Sequence, residues 1–300
     1  MINKILCIIA LGVMSGLATA GAQPSTPASA RVKGQIVAAR VQGQVTALSK
    51  ATLDNRLLHD GDAVSDQTTI VTGPGASVIL VFSNGATVDV GANSKLNISD
   101  FEQDPFSGDV NAADLRQEPG TSATKLNLTK GELTARVAHL NLDKGSEFTI
   151  QTPVGAAGIR GTFLKVILQP LPNHKARFSI ETQEGLVEFT GLTTGPVLIP
   201  AGHKFEATFD YNPKDVDDPI DWLPPSSLTL EDIFISPGEA AQFQRDLQAI
   251  LGALGTIVFH PGPGNGGGAG SGNAGGLNPP APPPPAPPPN PLTPGAGSGS

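Results

Sequence analysis

Apolar and polar residues alternate in short stretches along most of the chain, and this period of two is typical of β-strands. Leu133 to Ala138 shows the alternation, with its largest apolar side chains on one face of the predicted strand. Val78 to Phe82 and Thr162 to Leu168 are largely apolar on both faces, which predicts strands that are buried on both sides. The pattern predicts an all-β domain over residues 32–210.

Turns that contain glycine separate the predicted strands. Asn84-Gly85 is a strong signal of this kind, because both residue types tolerate the positive φ that a hairpin or corner requires. A glycine turn followed by a short strand recurs roughly every 10 to 20 residues, without a repeated sequence. Both a β-solenoid and a β-sandwich are built in this way, and alternation alone does not separate them.

The stretch from Gln151 to Phe163 combines three glycines, a proline and one arginine between two runs that favour β-structure. Pro153 fixes its own φ and biases Thr152 towards extended geometry, and glycine permits turns that a Cβ would prevent. The stretch is therefore predicted to be a structural corner. The residues assigned a structural role at this corner and at other turns are Thr152, Pro153, Gly158, Gly161, Thr162, Phe163, Asn84, Gly85 and Gly185.

The strand pattern stops over residues 100–124, an acidic stretch that is longer than an ordinary connection between strands. Connections of this length tend to carry function or to be disordered. Residues 100–124 are therefore a candidate for a partner contact.

A helical pattern begins only after the predicted β domain. Ser236-Pro237-Gly238-Glu239 supplies a capping residue, a proline at the first helical position and the glutamate of a capping box. The apolar residues that follow at helical spacing are Phe243, Leu247, Ile250, Leu251 and Leu254. The pattern predicts one amphipathic α-helix over residues 237–254, whose apolar face docks on the β domain or binds another protein.

The remaining segments are predicted to be processing, linker and tail sequences. Residues 1–22 carry Lys4, an apolar core too short to span a bilayer and small residues before the end, as secretory signal peptides do. Residues 23–31 are expected to be a flexible spacer, residues 211–236 an acidic, proline-containing linker, and residues 261–300 a disordered Gly/Pro-rich tail. We therefore expect export to the periplasm or cell exterior, with no stable membrane insertion after signal cleavage.

The net charge bears on the expected partners, and the cysteine content bears on disulfide bonds. The formal net charge is −8, and loss of the single positive charge of Lys4 with the signal peptide makes it −9. A negative protein repels polyanions, so nucleic acid is not an expected partner. Cys7 is the only cysteine and lies inside the predicted signal peptide, so the mature chain is expected to contain no disulfide.

No group of residues in the sequence has the spacing of a metal, cofactor or catalytic motif. Asp60 and Asp62 flank a glycine, which favours a turn over a cation site. The linker also contains a carboxylate cluster of Asp215, Asp217, Asp218 and Asp221. This cluster favours a solvated segment over a metal site. The sequence predicts no metal, no cofactor and no enzyme activity.

The predicted corner resembles the signature of FecR-type extracytoplasmic domains. The residues that carry the resemblance are Thr152, Pro153, Arg160, Gly161, Thr162, Phe163, Lys165 and Val166. Further motifs follow the family's order between Gly34 and Phe209, namely Gly43 to Val45, Asp60 to Asp62, Thr72 to Gly75, Asn84 to Val88, Asn93 to Ser94 and Glu184 to Val187. An ordered series of this kind is more specific than a single glycine motif.

The FecR resemblance implies a right-handed β-solenoid, with a β-sandwich as the alternative, and it brings no catalytic role. It implies an exported binding or scaffolding module that contacts a protein of the cell envelope. Signalling members of the family join this domain through a membrane helix to a cytoplasmic part that holds a sigma factor. This chain has a predicted cleavable signal peptide in the place of that cytoplasmic part, so direct transcriptional signalling is not expected. The alternative function is binding of carbohydrate or a cell-wall component, with or without hydrolysis.

Arg160 is the candidate binding residue. One hypothesis exposes its guanidinium at the corner, where it binds a carboxylate-bearing ligand through paired hydrogen bonds. The other is structural, with Arg160 folded over the turn onto backbone carbonyls or onto a carboxylate such as Glu184 or Asp89. The structural hypothesis predicts a large loss of stability when Arg160 is replaced by alanine.

Overall fold

The computed structural model describes residues 30–50, 53–191, 195–210, 229–255 and 257–261. The predicted signal peptide lies outside the described residues, as do most of the spacer and linker, the linker's carboxylate cluster and nearly all of the tail. Within the described ranges, no helix has the length and apolar character needed to cross a membrane.

Strands dominate the described residues, together with one α-helix and two short 3₁₀ helices. The strands are β1 (Val32–Lys33), β2 (Ile36–Gln42), β3 (Val45–Ser49), β4 (Asp54–Leu57), β5 (Ala63–Val64), β6 (Thr68–Thr72), β7 (Ser77–Phe82), β8 (Thr87–Val90), β9 (Lys95–Gln103), β10 (Val110–Asn111), β11 (Ser122–Arg136), β12 (Glu147–Thr152), β13 (Gly155–Ile159), β14 (Phe163–Leu171), β15 (Lys175–Glu184), β16 (Leu186–Gly191), β17 (Pro196–Pro200), β18 (His203–Asp210), β19 (Glu231–Phe234) and β20 (Val258–Phe259). The helices are α1 (Pro237–Leu254) and the 3₁₀ turns Ala112–Asp114 and Leu142–Lys144.

Two large sheets face each other. Sheet I has the strand order β4-β3-β6-β9-β11-β12-β13-β16-β17, with β1 beside the far end of β9. Sheet II has the order β5-β2-β7-β8-β11-β14-β15-β18-β19. Apolar side chains from the inner faces of both sheets form one continuous core.

Strand β11 belongs to both sheets. Its first part, to Lys130, pairs with β9 and β12 in sheet I, and its last part, from Gly131, pairs with β8 and β14 in sheet II. Gly131 has φ +94°, and a Cβ there would lie 2.4 Å from the Cα of Ser94. Only glycine fits this conformation and this close approach, so Gly131 lets β11 continue from sheet I into sheet II.

The all-β prediction is confirmed, but the solenoid is not. Among the described strand pairs only β11 and β12 run parallel, whereas the successive coils of a solenoid pair in parallel. The antiparallel pairing and the two facing sheets agree better with the β-sandwich alternative. Alternation could not separate the two folds, because it reports which side chains are buried and not which strands pair.

Helix α1 spans the residues that its capping motif predicts, and it packs on the outer face of sheet II. The Ser236 hydroxyl accepts a hydrogen bond from the Glu239 amide, and the Glu239 carboxylate accepts one from the Ser236 amide. Phe243 stacks edge-on against Phe163 of β14, with ring centroids 5.2 Å apart. The helix thus buries its apolar face in a second core outside sheet II.

Two boundaries differ from the sequence prediction. Strand β9 continues to Gln103 and β11 begins at Ser122, so the connection covers residues 104–121 and is shorter than predicted. Strands also occur beyond residue 210, since β19 adds to the edge of sheet II and β20 pairs with β10. Both cases extend strands into sequence without clear alternation, where pairing with distant residues decides the conformation.

Candidate functional site

A cleft of about 570 Å³ lies on the outer face of sheet I, across β12, β13 and β16. Phe148 and Ile150 of β12 point into the core, so Glu147 and Thr149 lie on the outer face. The outward residues that line the cleft are Glu147, Thr149, Ala156, Gly158, Arg160, Glu188 and Thr190. Small residues at the centre and longer polar residues around them give the cleft its depth.

Arg160 lies at one side of this cleft and forms an ion pair with Glu188. The Nη2 atom of Arg160 is 2.8 Å from Oε2 of Glu188, and the two side chains are 53% and 37% exposed. The partner is therefore neither the Glu184 nor the Asp89 of the structural hypothesis. An ion pair as exposed as this contributes about 0–1 kcal/mol, so Arg160 does not hold a buried network together.

The turn that leads into β13 is held by Thr152. Its hydroxyl donates a 2.9 Å hydrogen bond to the carbonyl of Gly155 and accepts one of 3.3 Å from the amide of Val154. Pro153 and Val154 form the two-residue turn between β12 and β13. Thr152 and Pro153 thus lie at the turn that ends β12.

Gly158 has a different environment from the one expected. It lies within β13, outside the positive-φ region, and the nearest atom to a Cβ there would be the carbonyl oxygen of Glu188, at 3.7 Å. This is an ordinary contact, so the backbone does not require glycine. What Gly158 does is keep the cleft open, because any larger side chain would project from the outer face of sheet I.

Gly161 and Gly185 lie together at the corner between the sheets. Both have positive φ, at +72° and +81°, and a Cβ at Gly185 would lie 2.6 Å from the carbonyl oxygen of Gly161. Thr162 and Phe163 are each 3% exposed, and Phe163 contacts the helix. The corner therefore joins the outer face of sheet I to the helix-covered face of sheet II.

Asn84 and Gly85 form a second, buried corner. The Asn84 side-chain amide donates hydrogen bonds to the hydroxyls of Ser122 (3.1 Å) and Thr124 (3.2 Å), and its oxygen accepts one from the amide of Ala86. Gly85 has φ +89°. These contacts give Asn84 and Gly85 a structural position remote from the cleft lining.

A row of amide and hydroxyl side chains crosses the rest of the outer face of sheet I. Thr69, Asn97, Asn127 and Gln151 occupy neighbouring register positions on four adjacent strands. Asn97 donates a 3.0 Å hydrogen bond to Thr69. Beside them lies a cavity of about 390 Å³, with the 90% exposed Leu53 at its rim. Sequence reasoning missed this row, because its members are adjacent only across strands.

The carboxylates around Gly61 have partners in their own turn and in the neighbouring strands β2 and β4. Asp60 accepts a 2.6 Å hydrogen bond from the amide of Val41, and Asp62 accepts one of 2.9 Å from the amide of His59. Asp62 also pairs with Arg56 at 2.8 Å. Over the part of the chain that the structure describes, no group of three or more His, Cys, Asp and Glu side chains is placed to hold a metal ion.

The connection over residues 104–121 is fixed by a buried glutamate that the sequence pattern did not reveal. Glu118 is 4% exposed and accepts hydrogen bonds from the Ser122 hydroxyl, the Ser146 hydroxyl and the Asn141 amide. A carboxylate with this many donors is costly to remove, because the donors would lose their partner. Glu118 therefore anchors the connection against sheet I.

Comparison with known proteins gives one family. Residues 68–188 match the FecR protein family, which is less than half of the chain, and this segment contains both Arg160 and Glu188. The FecR resemblance of the sequence is thereby confirmed for that segment. No curated protein matches the chain.

Two crystal structures of a candidate anti-sigma factor from Parabacteroides distasonis are similar over part of the chain. The one at 2.50 Å resolution is 10% identical with a TM-score of 0.37, and the similarity covers 59% of this chain and 63% of that one. The one at 1.65 Å is 10% identical with a TM-score of 0.38, covering 61% and 74%. The chain thus spans less than two thirds of the first of these proteins.

Proposed function

We propose that this chain, which carries a FecR-type domain over residues 68–188, is an exported, non-enzymatic module that binds a protein of the cell envelope. The contact surface is the outer face of sheet I around the Arg160 cleft. The observation that carries the proposal is an open, polar cleft whose lining residues, except Thr190, lie inside the family-matched segment, with the Arg160–Glu188 ion pair exposed at its side.

The geometry of the cleft suits a protein surface. Arg160 and Glu188 place a donor and an acceptor of opposite charge side by side, and both retain exposed area for a further partner. Leu198 of the neighbouring strand β17 is 56% exposed, and Glu188 and Leu198 are paired in register. An exposed apolar residue beside a charged pair resembles the centre and rim of a protein interface.

The test is capture of envelope proteins by the full exported chain, compared between wild type and Arg160→Glu. Reversing the charge repels Glu188 and a partner carboxylate, so we expect the captured partner to be lost. The matched control is Lys175→Glu, since Lys175 is also an exposed cation paired with a carboxylate, Asp210, but lies on sheet II. A partner that is captured equally by wild type and both variants would place the interface elsewhere.

A second candidate function is carbohydrate binding, which the row of Thr69, Asn97, Asn127 and Gln151 favours. Amide and hydroxyl groups both donate and accept hydrogen bonds, as sugar hydroxyls require. A glycan array with wild type and Asn127→Ala tests this function. The control is Gln169→Ala, an exposed amide on sheet II. Glycan binding that Asn127→Ala removes and Gln169→Ala preserves, without a protein partner, would replace the first proposal.

A further inference from the structure

A separate pocket of about 190 Å³ lies at the corner where the two sheets meet. It is lined by the ends of β11 and β14, by the end of β15 and by the connection over residues 104–121. The polar residues that line it are Arg116, Arg136, His139, Thr162 and Glu184. Neither Arg160 nor Glu188 lines it, so it is distinct from the cleft.

Arg136 supplies the first unusual feature of this pocket. It is the last residue of β11, on the outer face of sheet II between Thr87 and Phe163 in the register. Its Nη1 atom is buried and has no hydrogen-bond partner among the described residues. A buried guanidinium nitrogen without an acceptor is costly, and a ligand oxygen would remove that cost.

Thr162 supplies the second unusual feature of this pocket. It is 3% exposed, and its hydroxyl oxygen is also buried without a partner among the described residues. A hydroxyl can donate one hydrogen bond to a ligand oxygen. The pocket therefore contains two unsatisfied donor groups of different kinds, one at the end of β11 and one in the turn before β14, which meet only in the folded protein.

The backbone around the pocket is held by hydrogen bonds between the segments that line it. The amide of His139 donates to the carbonyl of Arg116 at 3.0 Å, and the amide of Val137 donates to the carbonyl of Thr162 at 2.9 Å. Gly161 brings the chain so close to His139 that a Cβ would lie 2.9 Å from its Nδ1. The backbone that carries the donors is thus fixed before a ligand arrives, which lowers the entropic cost of binding.

Charge selects the ligand class. The two arginines contribute +2 and Glu184 contributes −1, so the pocket has a formal charge of +1 with His139 neutral. A carboxylate carries one negative charge, and its two oxygens match the paired N–H groups of a guanidinium. A phosphate, with a charge nearer −2, would leave the pocket with a net negative charge, whereas one carboxylate neutralises it.

We propose that this pocket binds a single carboxylate group, held by Arg136, Arg116 and the Thr162 hydroxyl. The carboxylate comes from a small organic acid or from the C-terminus of a peptide, since a pocket of about 190 Å³ holds the group and only a few further atoms.

The test follows the side-chain N–H signals of the arginines by NMR in the full exported chain, at constant ionic strength, during titration with sodium acetate. We expect saturable shifts of the Arg136 and Arg116 signals. Arg116→Gln alters an exposed side chain that the fold does not need, and it should weaken acetate binding about tenfold or more. The control is Arg56→Gln, because Arg56 lies away from the pocket and already pairs with Asp62.

Titrations with other ligands identify the source of the carboxylate. An acetylated tripeptide with a free C-terminus is compared with its C-terminal amide, and tighter binding of the free acid than of acetate assigns a peptide terminus as the source. Glu184→Gln should strengthen acetate binding, because it removes a repelling charge. Binding of inorganic phosphate at least as tight as acetate would overturn the carboxylate assignment. No saturable shift of the Arg136 signal, or unchanged affinity in Arg116→Gln, would overturn the site itself.

Discussion

Sheet II carries helix α1 on its outer face, whereas the outer face of sheet I carries the cleft and the amide row. A row of residues across the outer face of sheet II reads Asp89, Thr134, Lys165, Glu181 and Lys204. The corresponding row on sheet I contains Thr69, Asn97, Asn127 and Gln151. The row beneath the helix is therefore charged, whereas the amide row on sheet I is uncharged and the ion pairs of that face, such as Arg160–Glu188, are exposed.

The difference is explained by what the helix contributes. Asp246 of the helix pairs with Lys165 at 2.8 Å, with the two side chains only 12% and 16% exposed, and Glu239 pairs with Lys204. Charges beneath a helix lose water, so each needs a partner on the opposite surface. On sheet I, the neutral amides need no opposite charge to offset burial, and no α-helix covers that face among the described residues.

The helix also changes the acidity of the carboxylates that it covers. Burial, together with the charges of Asp246 and Glu132, raises the pKa of Asp89 to about 6. Burial and the Glu239 charge raise the pKa of Glu181. The hydrogen bond from Lys204 lowers the pKa of Glu239 to about 2. The helix interface thus contains carboxylates shifted in opposite directions, according to whether each has a cationic hydrogen-bond donor.

The largest effect is expected from Phe163→Ala. The ring of Phe163 is 3% exposed and packs on Phe243, so its removal should lower the free energy of unfolding by about 3–5 kcal/mol. Chemical denaturation measures the change. The control on the open face is Leu198→Ala, where a 56% exposed side chain should change stability by no more than about 0.5 kcal/mol. Similar losses from both variants would mean that the helix does not cover sheet II in solution.

The next effect is expected from Asp246→Ala, which leaves the Lys165 ammonium group without its carboxylate beneath the helix. The loss should be about 1–3 kcal/mol, because a buried charge without a partner keeps its desolvation cost. Asp210→Ala is the control, since the Lys175–Asp210 pair on the same sheet is 46% and 78% exposed. Equal melting temperatures of the two variants would contradict burial of the Lys165 pair.

A smaller, pH-dependent effect is expected from Asp89→Asn. The folded-state pKa of about 6 lies above the ordinary 3.8, so the folded protein holds this proton more tightly than the unfolded chain. The stability that this group contributes is complete below about pH 4, is lost as pH rises through about 6, and is constant above it. Asparagine imitates the protonated acid, so the variant should gain about 1–2 kcal/mol above pH 6 and almost nothing near pH 4.

Chemical denaturation of wild type and Asp89→Asn at several pH values tests whether the variant gains stability above pH 6 and not near pH 4. The charged groups that act on Asp89 are Asp246, Glu132, Lys165 and Arg40. Of these, the two cations oppose the shift. A destabilised Asp89→Asn at every pH would show instead that the ionised carboxylate is held by Lys165.

The smallest effect is expected from Arg160→Ala on the open face. Its ion pair with Glu188 is exposed, so the free energy of unfolding should fall by no more than about 1 kcal/mol. This expectation replaces the large loss that the buried-network hypothesis predicted. Thermal unfolding of this variant beside Asp246→Ala compares the two faces directly. A larger loss from Arg160→Ala than from Asp246→Ala would restore a structural role for Arg160.

Local patterns determined much of this protein. The capping box and the apolar spacing predicted helix α1 over Pro237–Leu254, and the structure has those bounds. Asn84-Gly85 predicted a corner, and Thr152-Pro153 predicted the end of a strand. These features could be predicted because φ preferences, capping and side-chain periodicity depend on residues that are close in sequence.

Tertiary structure alone decided which face is covered and which side chains meet. The apolar pattern predicted that the Thr162 to Leu168 strand is buried on both sides, but not that helix α1 covers Lys165 and supplies Asp246 as its partner. The partner of Arg160 is 28 residues away, and the carboxylate pocket combines Arg116, Arg136 and Thr162 from separate segments. Strand pairing and helix docking bring these residues together, and both are set by burial of the whole core, which no short stretch of sequence reports.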